Sequence, residues 1–193
     1  ASVPIRPAAT VMLIRETPAL EVLMMRRPAK TVFAGGMWVF PGGAVDPSDF
    51  ELEIHGQDQI DIPGRTEEPI NPFEDRAYYA AAIRECFEES GVLMATSSAL
   101  ATRPTSNALV EARSALNAGS LPFNEILATW SMTSDATAMQ LVARWVTPLG
   151  SPRRFDARFF ITACPGSSQA AHDDRELVDS AWMTPQSVLD AFA

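Results

Sequence analysis

The stretch Ala80-Ala81-Ala82-Ile83-Arg84-Glu85-Cys86-Phe87-Glu88-Glu89-Ser90-Gly91-Val92 limits what this chain can be more than any other. At about 100° per residue, Glu85, Glu88 and Glu89 share an arc of roughly 100° on a helix, and Tyr79, Ala80, Ile83 and Phe87 lie opposite. One face is acidic and the other apolar. Like charges at this spacing cost an isolated helix a few tenths of a kcal/mol, roughly, so the carboxylates need open water or a cation between them. A solvated helix face is the plain structural expectation. The functional one is a hard-oxygen site for Mg²⁺ or Mn²⁺.

Composition narrows the functional classes. At 193 residues the chain can bury a substantial core, and no shift in composition divides it, so one domain over 1–193 is expected. A net charge of −9 argues against nucleic acid or an anionic membrane surface as partner, because neither polyanion would be attracted. An anionic small substrate would need metal ions and local arginines. Cys86 and Cys164 show neither metal-ligand spacing nor a disulfide framework, which fits a reducing compartment. No apolar run approaches the roughly 18 residues of a membrane span, and residues 1–7 lack the apolar core of a signal peptide, so a cytoplasmic protein is the default expectation.

Residues 8–15 and 20–26 are short apolar runs around Glu16-Thr17-Pro18-Ala19 and predict an antiparallel hairpin. Arg26-Arg27-Pro28-Ala29-Lys30 follows, either a solvated loop or a phosphate contact through Arg27. Residues 35–43 predict a short strand ending in Pro41, Gly42 and Gly43, and such a glycine pair lets the backbone take positive φ or come close to a bound group. Residues 44–76, rich in Asp, Glu, Pro and Gly, predict a long surface loop, and a loop of that length points to an insertion. The central helix is expected over 74–90 with Gly91 as its stop. Residues 92–95 predict a strand or extended segment, and 108–118 and 123–130 predict packing helices. Residues 140–147, 155–163 and 178–183 predict strands, and Thr184 with Pro185 starts a closing helix. Arg144, Arg153, Arg154 and Arg158 form a local excess of arginine, either an anion site or surface ion pairs.

Gly43, Asp49 and the run Arg84-Glu85-Cys86-Phe87-Glu88-Glu89-Ser90-Gly91-Val92 together resemble the Nudix hydrolase signature, G-x5-E-x7-R-E-U-x-E-E-x-G-U, where U is a bulky apolar residue. The second half matches at every fixed position. Cys86 stands where a larger aliphatic is usual, and Asp49 stands at the first glutamate, one methylene shorter. Thirty-four residues separate Asp49 from Arg84 where the pattern has seven, an insertion of 27 at about 50–76. An interrupted box of this kind, with Phe40-Pro41-Gly42-Gly43 upstream and residues 154–160 downstream, resembles the Nudix hydrolase 19 type of coenzyme A diphosphatase.

The resemblance implies an α/β/α sandwich with a mixed central sheet, the box forming a loop, helix and loop. It implies hydrolysis of a diphosphate linked to another moiety, with Glu85, Glu88 and Glu89 as ligands of Mg²⁺ or Mn²⁺. Glu85, or a carboxylate from a later loop, would take the proton from water. Glu176 is the choice there, with Asp173 and Asp174 as rivals. Arg84 would position the box carboxylates, and Gly42, Gly43, Arg27, Arg144 and Arg158 are the candidate substrate contacts. The implied substrate is coenzyme A or its thioesters, although Val32 stands where an arginine of the associated upstream motif is expected. ADP-ribose, nucleotide sugars or dinucleotides remain alternatives. So does a non-catalytic nucleotide-binding regulator, against which the intact carboxylates argue. The inserted loop could act as a lid or a homodimer contact.

Overall fold

The computed structural model describes residues 3–16, 18–30, 35–56, 72–97, 103–166 and 178–191. Strand β1 (Ile5–Glu16) organises it. Its alternating residues Ala9, Val11 and Leu13 are fully buried, as a period of two requires of a strand with one face on a core. β2 (Leu20–Arg26) returns antiparallel, with Ile14 opposite Val22, so the expected hairpin forms. β3 (Trp38–Val39) pairs with β2, and β4 (Gly42–Ala44) pairs with the first half of β1, where Ala9 faces Gly43 and Thr10 faces Gly42.

A 3-10 turn, Pro47–Phe50, leads to the short β5 (Ile54–His55) and then to helix α1 (Pro72–Ser90). Beyond it come β6 (Ala95–Ser97), α2 (Ser106–Asn117), α3 (Phe123–Thr129) and β7 (Met132–Asp135). β8 (Gln140–Val146), β9 (Arg154–Ala163), β10 (Asp179–Met183) and α4 (Pro185–Asp190) complete the order. β9 lies parallel to β1 over its full length, from Ile5 opposite Arg154 to Ile14 opposite Ala163. The main sheet runs β10-β2-β1-β9-β8, with β3 and β4 attached to β2 and β1; a second sheet runs β5-β7-β6. The architecture is mixed α/β with a mixed sheet, as expected.

α1 is buried over most of its circumference. Ala77, Ala80, Ala81 and Ala82 are essentially inaccessible, and side chains no longer than a methyl let a helix lie close to its neighbours. Tyr79 packs on Phe160 of β9 with ring centroids 4.3 Å apart, and Phe87 packs on Phe123 of α3 at 5.8 Å. Burying side chains of this size contributes about 1.5–3 kcal/mol each.

The expected continuous surface loop over 44–76 gives way in its described parts. Along Glu51-Leu52-Glu53-Ile54-His55, exposed and buried residues alternate, with Leu52 and Ile54 in the core and β5 paired parallel to β7. That alternation is a strand signal, outweighed in the sequence by the surrounding acidic and proline-rich composition. Residues 57–71 lie outside the described residues. Of the strand or extended segment expected over 92–95, only Ala95 lies in a strand, β6, and β7 was not foreseen, because Met132-Thr133-Ser134-Asp135 becomes a strand through its neighbours β5 and β6.

Candidate active site

Arg84 stands at the centre of the site. Its Nε and Nη2 donate to the two carboxylate oxygens of Asp49, each at 2.9 Å, the paired geometry that suits a planar guanidinium. Nη2 also donates to the Ala44 carbonyl at 2.9 Å, and Nη1 donates to Glu85 at 2.9 Å and to Glu88 at 3.0 Å. Asp46 lies 3.8 Å from the same group. Asp49 is only 2% exposed, and it also accepts the Asp46 backbone N–H at 2.8 Å, which closes the 3-10 turn around it. The shorter residue at the first box position therefore reaches the box arginine, because this turn carries Asp49 to α1.

Glu89, 5% exposed, accepts the Gly42 N–H at 2.8 Å. Glu85 lies against Gly43 so closely that a Cβ on Gly43 would fall on its carboxylate. The strand β4, pinned to β1 by pairing, thus closes over the acidic face of α1. Glu89 is buried and Glu85 and Glu88 are only partly exposed, so the face is not the open, solvated one of the plain expectation.

Electrostatics follow from this crowding. Burial pushes the Glu85 carboxyl up; Arg84 pulls it back, Glu88 and Asp49 push it further, and it settles at about 7. Glu88 is raised mainly by burial, against the pull of Arg84. Burial opposes the charge on Arg84, yet its hydrogen bonds to Asp49 and the charges of Glu85, Asp49 and Glu88 outweigh it, so its pKa is raised. Burial pushes the Cys86 thiol up to about 12, so it is no nucleophile near neutral pH.

Three carboxylates share one guanidinium here, with a fourth beside them: a surplus of hard, anionic oxygen. This donor chemistry fits a divalent cation of the Mg²⁺ type. Among the described residues, no three His, Cys, Asp or Glu side chains are gathered as a ligand set; Glu85 and Glu88 turn toward Arg84, and Glu89 toward Gly42.

The other expected contacts are not gathered there. Arg144 pairs with Asp156 through two hydrogen bonds of 2.8 Å, and Arg158, 8% exposed, pairs with Asp75 and lies over the Tyr78 ring at 3.8 Å. Both arginines are tied to carboxylates outside the cluster. Arg27 sits where β2 turns toward β3, its N–H donating to the Met37 carbonyl at 3.0 Å. Its Nε is buried and makes no hydrogen bond among the described residues. Glu176, with Asp173 and Asp174, lies outside the described residues. Asp46 and the Ala44 carbonyl escaped the sequence reading, since only the fold of β4 and the 3-10 turn aims them at Arg84.

Comparison with known proteins agrees with this geometry. Residues 63–193 match the family model described as NUDT19 Nudix domain, and residues 4–114 match the NUDIX domain model. Acyl-coenzyme A diphosphatase NUDT19 of Homo sapiens is 27% identical over 97% of this chain and 60% of its own length. That of Xenopus laevis is 25% identical over 91% of this chain and 56% of its own length. The chain thus spans somewhat over half the length of these relatives. A NUDIX hydrolase from Alicyclobacillus acidocaldarius superposes with a TM-score of 0.73 at 27% identity, over 100% of this chain and 84% of that one. The MutT protein from Methanosarcina mazei Go1 shares the fold at a TM-score of 0.51 and 14% identity. With each family model spanning more than half of its residues and the box arginine and glutamates assembled as described, the chain belongs to the Nudix hydrolases, in their NUDT19 type.

Proposed function

We propose that this chain hydrolyses a diphosphate bond with a divalent metal ion, on coenzyme A or an acyl-coenzyme A. The observation that carries it is the cluster in which Arg84 joins Asp49, Glu85 and Glu88 while Glu89 takes the Gly42 N–H. The substrate class rests on the likeness to relatives described as acyl-coenzyme A diphosphatases.

Nudix hydrolases generally depend on divalent metal ions. In this chain Glu85, Glu88 and Glu89 would hold the ion. When bound, it supplies charge neutralisation at the phosphate oxygens and acidifies water. The protein does the rest. Arg84 positions two of the three glutamates, and Asp49 holds Arg84 in place. Gly43, having no side chain, leaves room for the Glu85 carboxylate. Water attacks one phosphorus as the bridging P–O bond breaks, leaving two phosphate monoesters, and the proton goes to Glu85 or to Glu176. Alignment and charge stabilisation, rather than covalent chemistry, carry such a reaction.

The test is incubation with Mg²⁺ or Mn²⁺ and a panel of coenzyme A, acyl-coenzyme A, ADP-ribose, NADH and dinucleoside polyphosphates, with product identification. Cleavage of the coenzyme A compounds into a nucleotide and a phosphopantetheine fragment is expected. Turnover of ADP-ribose alone would remove the coenzyme A assignment. No turnover of any diphosphate with either metal would remove the hydrolase assignment.

A further inference from the structure

α1 ends at Ser90, the residue after Glu89, and a helix leaves its last four carbonyls without partners of its own. The Phe87 carbonyl is taken by the Gly91 N–H at 2.9 Å, and Gly91, at φ 74°, turns the chain away. The next two carbonyls, those of Glu88 and Glu89, are taken by one side chain from another helix. Arg113 of α2 donates its Nε to the Glu88 carbonyl at 2.8 Å and its Nη2 to the Glu89 carbonyl. Asn117, one turn further along α2, donates its Nδ2 to the Glu88 carbonyl at 3.3 Å.

α1 has no basic residue in its last turn, so α2 supplies the cation that a helix C-terminus favours. Gly91 lies directly beside the Arg113 guanidinium, where a Cβ would stand 3.4 Å from Nη1, so the helix stop and the clamp meet at one point. The clamp falls on the backbone of the two residues whose side chains close the acidic cluster. A free last turn frays or tightens toward 3-10 geometry, and either change swings the Cα–Cβ directions of Glu88 and Glu89.

We infer that Arg113, assisted by Asn117, is a positioning residue for the site: it fixes the backbone of Glu88 and Glu89 so that their carboxylates are held ready for the cation. It touches neither cation nor substrate. This role presupposes that the two glutamates face a metal ion, as proposed above.

The experiment compares the chain with its Arg113→Ala, Arg113→Lys, Asn117→Ala and Glu111→Ala variants, the last an exposed α2 position outside the clamp. Three quantities are read well below each unfolding midpoint: the Mn²⁺ dissociation constant by calorimetry, amide exchange over 86–92, and kcat with KM for the diphosphate. Arg113→Ala is expected to weaken Mn²⁺ binding by about tenfold or more, the usual scale for groups that orient metal ligands. It should also speed exchange at 88–92 and lower kcat more than it raises KM. Arg113→Lys should fall between, since one ammonium replaces a two-pronged donor. Glu111→Ala should match the parent. A lower melting temperature with Mn²⁺ affinity unchanged would make the clamp merely structural and overturn the inference. If Arg113→Ala does not fold, parental Mn²⁺ affinity in both Arg113→Lys and Asn117→Ala would overturn it equally. If the parent chain itself neither binds Mn²⁺ nor cleaves any diphosphate, the metal reading fails first, and the parent alone shows it.

Discussion

Asp49 and Arg84 face each other with almost no water, 2% and 6% exposed. Removing one partner of such a pair leaves the other charge buried and uncompensated. Asp49→Ala is therefore expected to destabilise the protein by about 3–5 kcal/mol, read as a lower urea midpoint; a change under 1 kcal/mol, roughly the range of an exposed pair, would show the pair to be peripheral. Glu88→Gln and Glu89→Gln keep shape and lose charge. Each should lower diphosphate turnover by orders of magnitude with circular dichroism unchanged, and unfolding with undiminished specific activity in the folded fraction would refute their place at the metal.

Glu85 gives a pH signature in chelated protein. Burial holds its carboxyl up at about 7 in the folded protein against the ordinary 4.5 of an unburied glutamate, so between these the folded state binds more protons. Stability should then fall as pH rises from 4.5 to 7, by on the order of 1–3 kcal/mol from this group, and level off above. Melting scans in EDTA check this. Restored Mg²⁺ should flatten the slope, and a slope unchanged in Glu85→Gln would assign it elsewhere.

Among the elements, the short segment after the 3-10 turn departs most from expectation. Leu52 and Ile54 are 5% and 9% exposed, and β5 joins the small sheet against which α1 also packs. The start of the insertion belongs to the core. Leu52→Ala should cost about 2–5 kcal/mol, measured by denaturant unfolding, whereas a mobile lid would lose almost nothing. α1 itself was legible almost to the residue, because its apolar spacing, its glycine stop and its carboxylates all point the same way; only its start shifts, to Pro72. β7 was not legible, since its register comes from partners distant in sequence.

Over the whole molecule, stability rests on the contact between α1 and the main sheet. Phe160, fully buried against Tyr79, belongs to that contact, and Trp145, 71% exposed on β8, does not. Phe160→Ala should cost about 3–5 kcal/mol in a single cooperative transition, and Trp145→Ser about 0.5 kcal/mol or less. Two separate transitions would instead divide the sheet from the helix layer. No helix among the described residues is long and apolar enough to cross a membrane. The sequence alone determined the helix, its three carboxylates and its Gly91 stop, because those features lie at local spacing, and the family resemblance tied Gly42 and Gly43 to them. Tertiary structure alone decided that Asp49 reaches Arg84 across the insertion, that Gly42 and Gly43 close over Glu89 and Glu85, and that Arg144 and Arg158 are held by Asp156 and Asp75. All but the Arg144–Asp156 pair, which the β8–β9 pairing makes, are meetings of residues far apart in the chain, and the packing of β4 and β9 beside α1 fixes such meetings where residue spacing cannot.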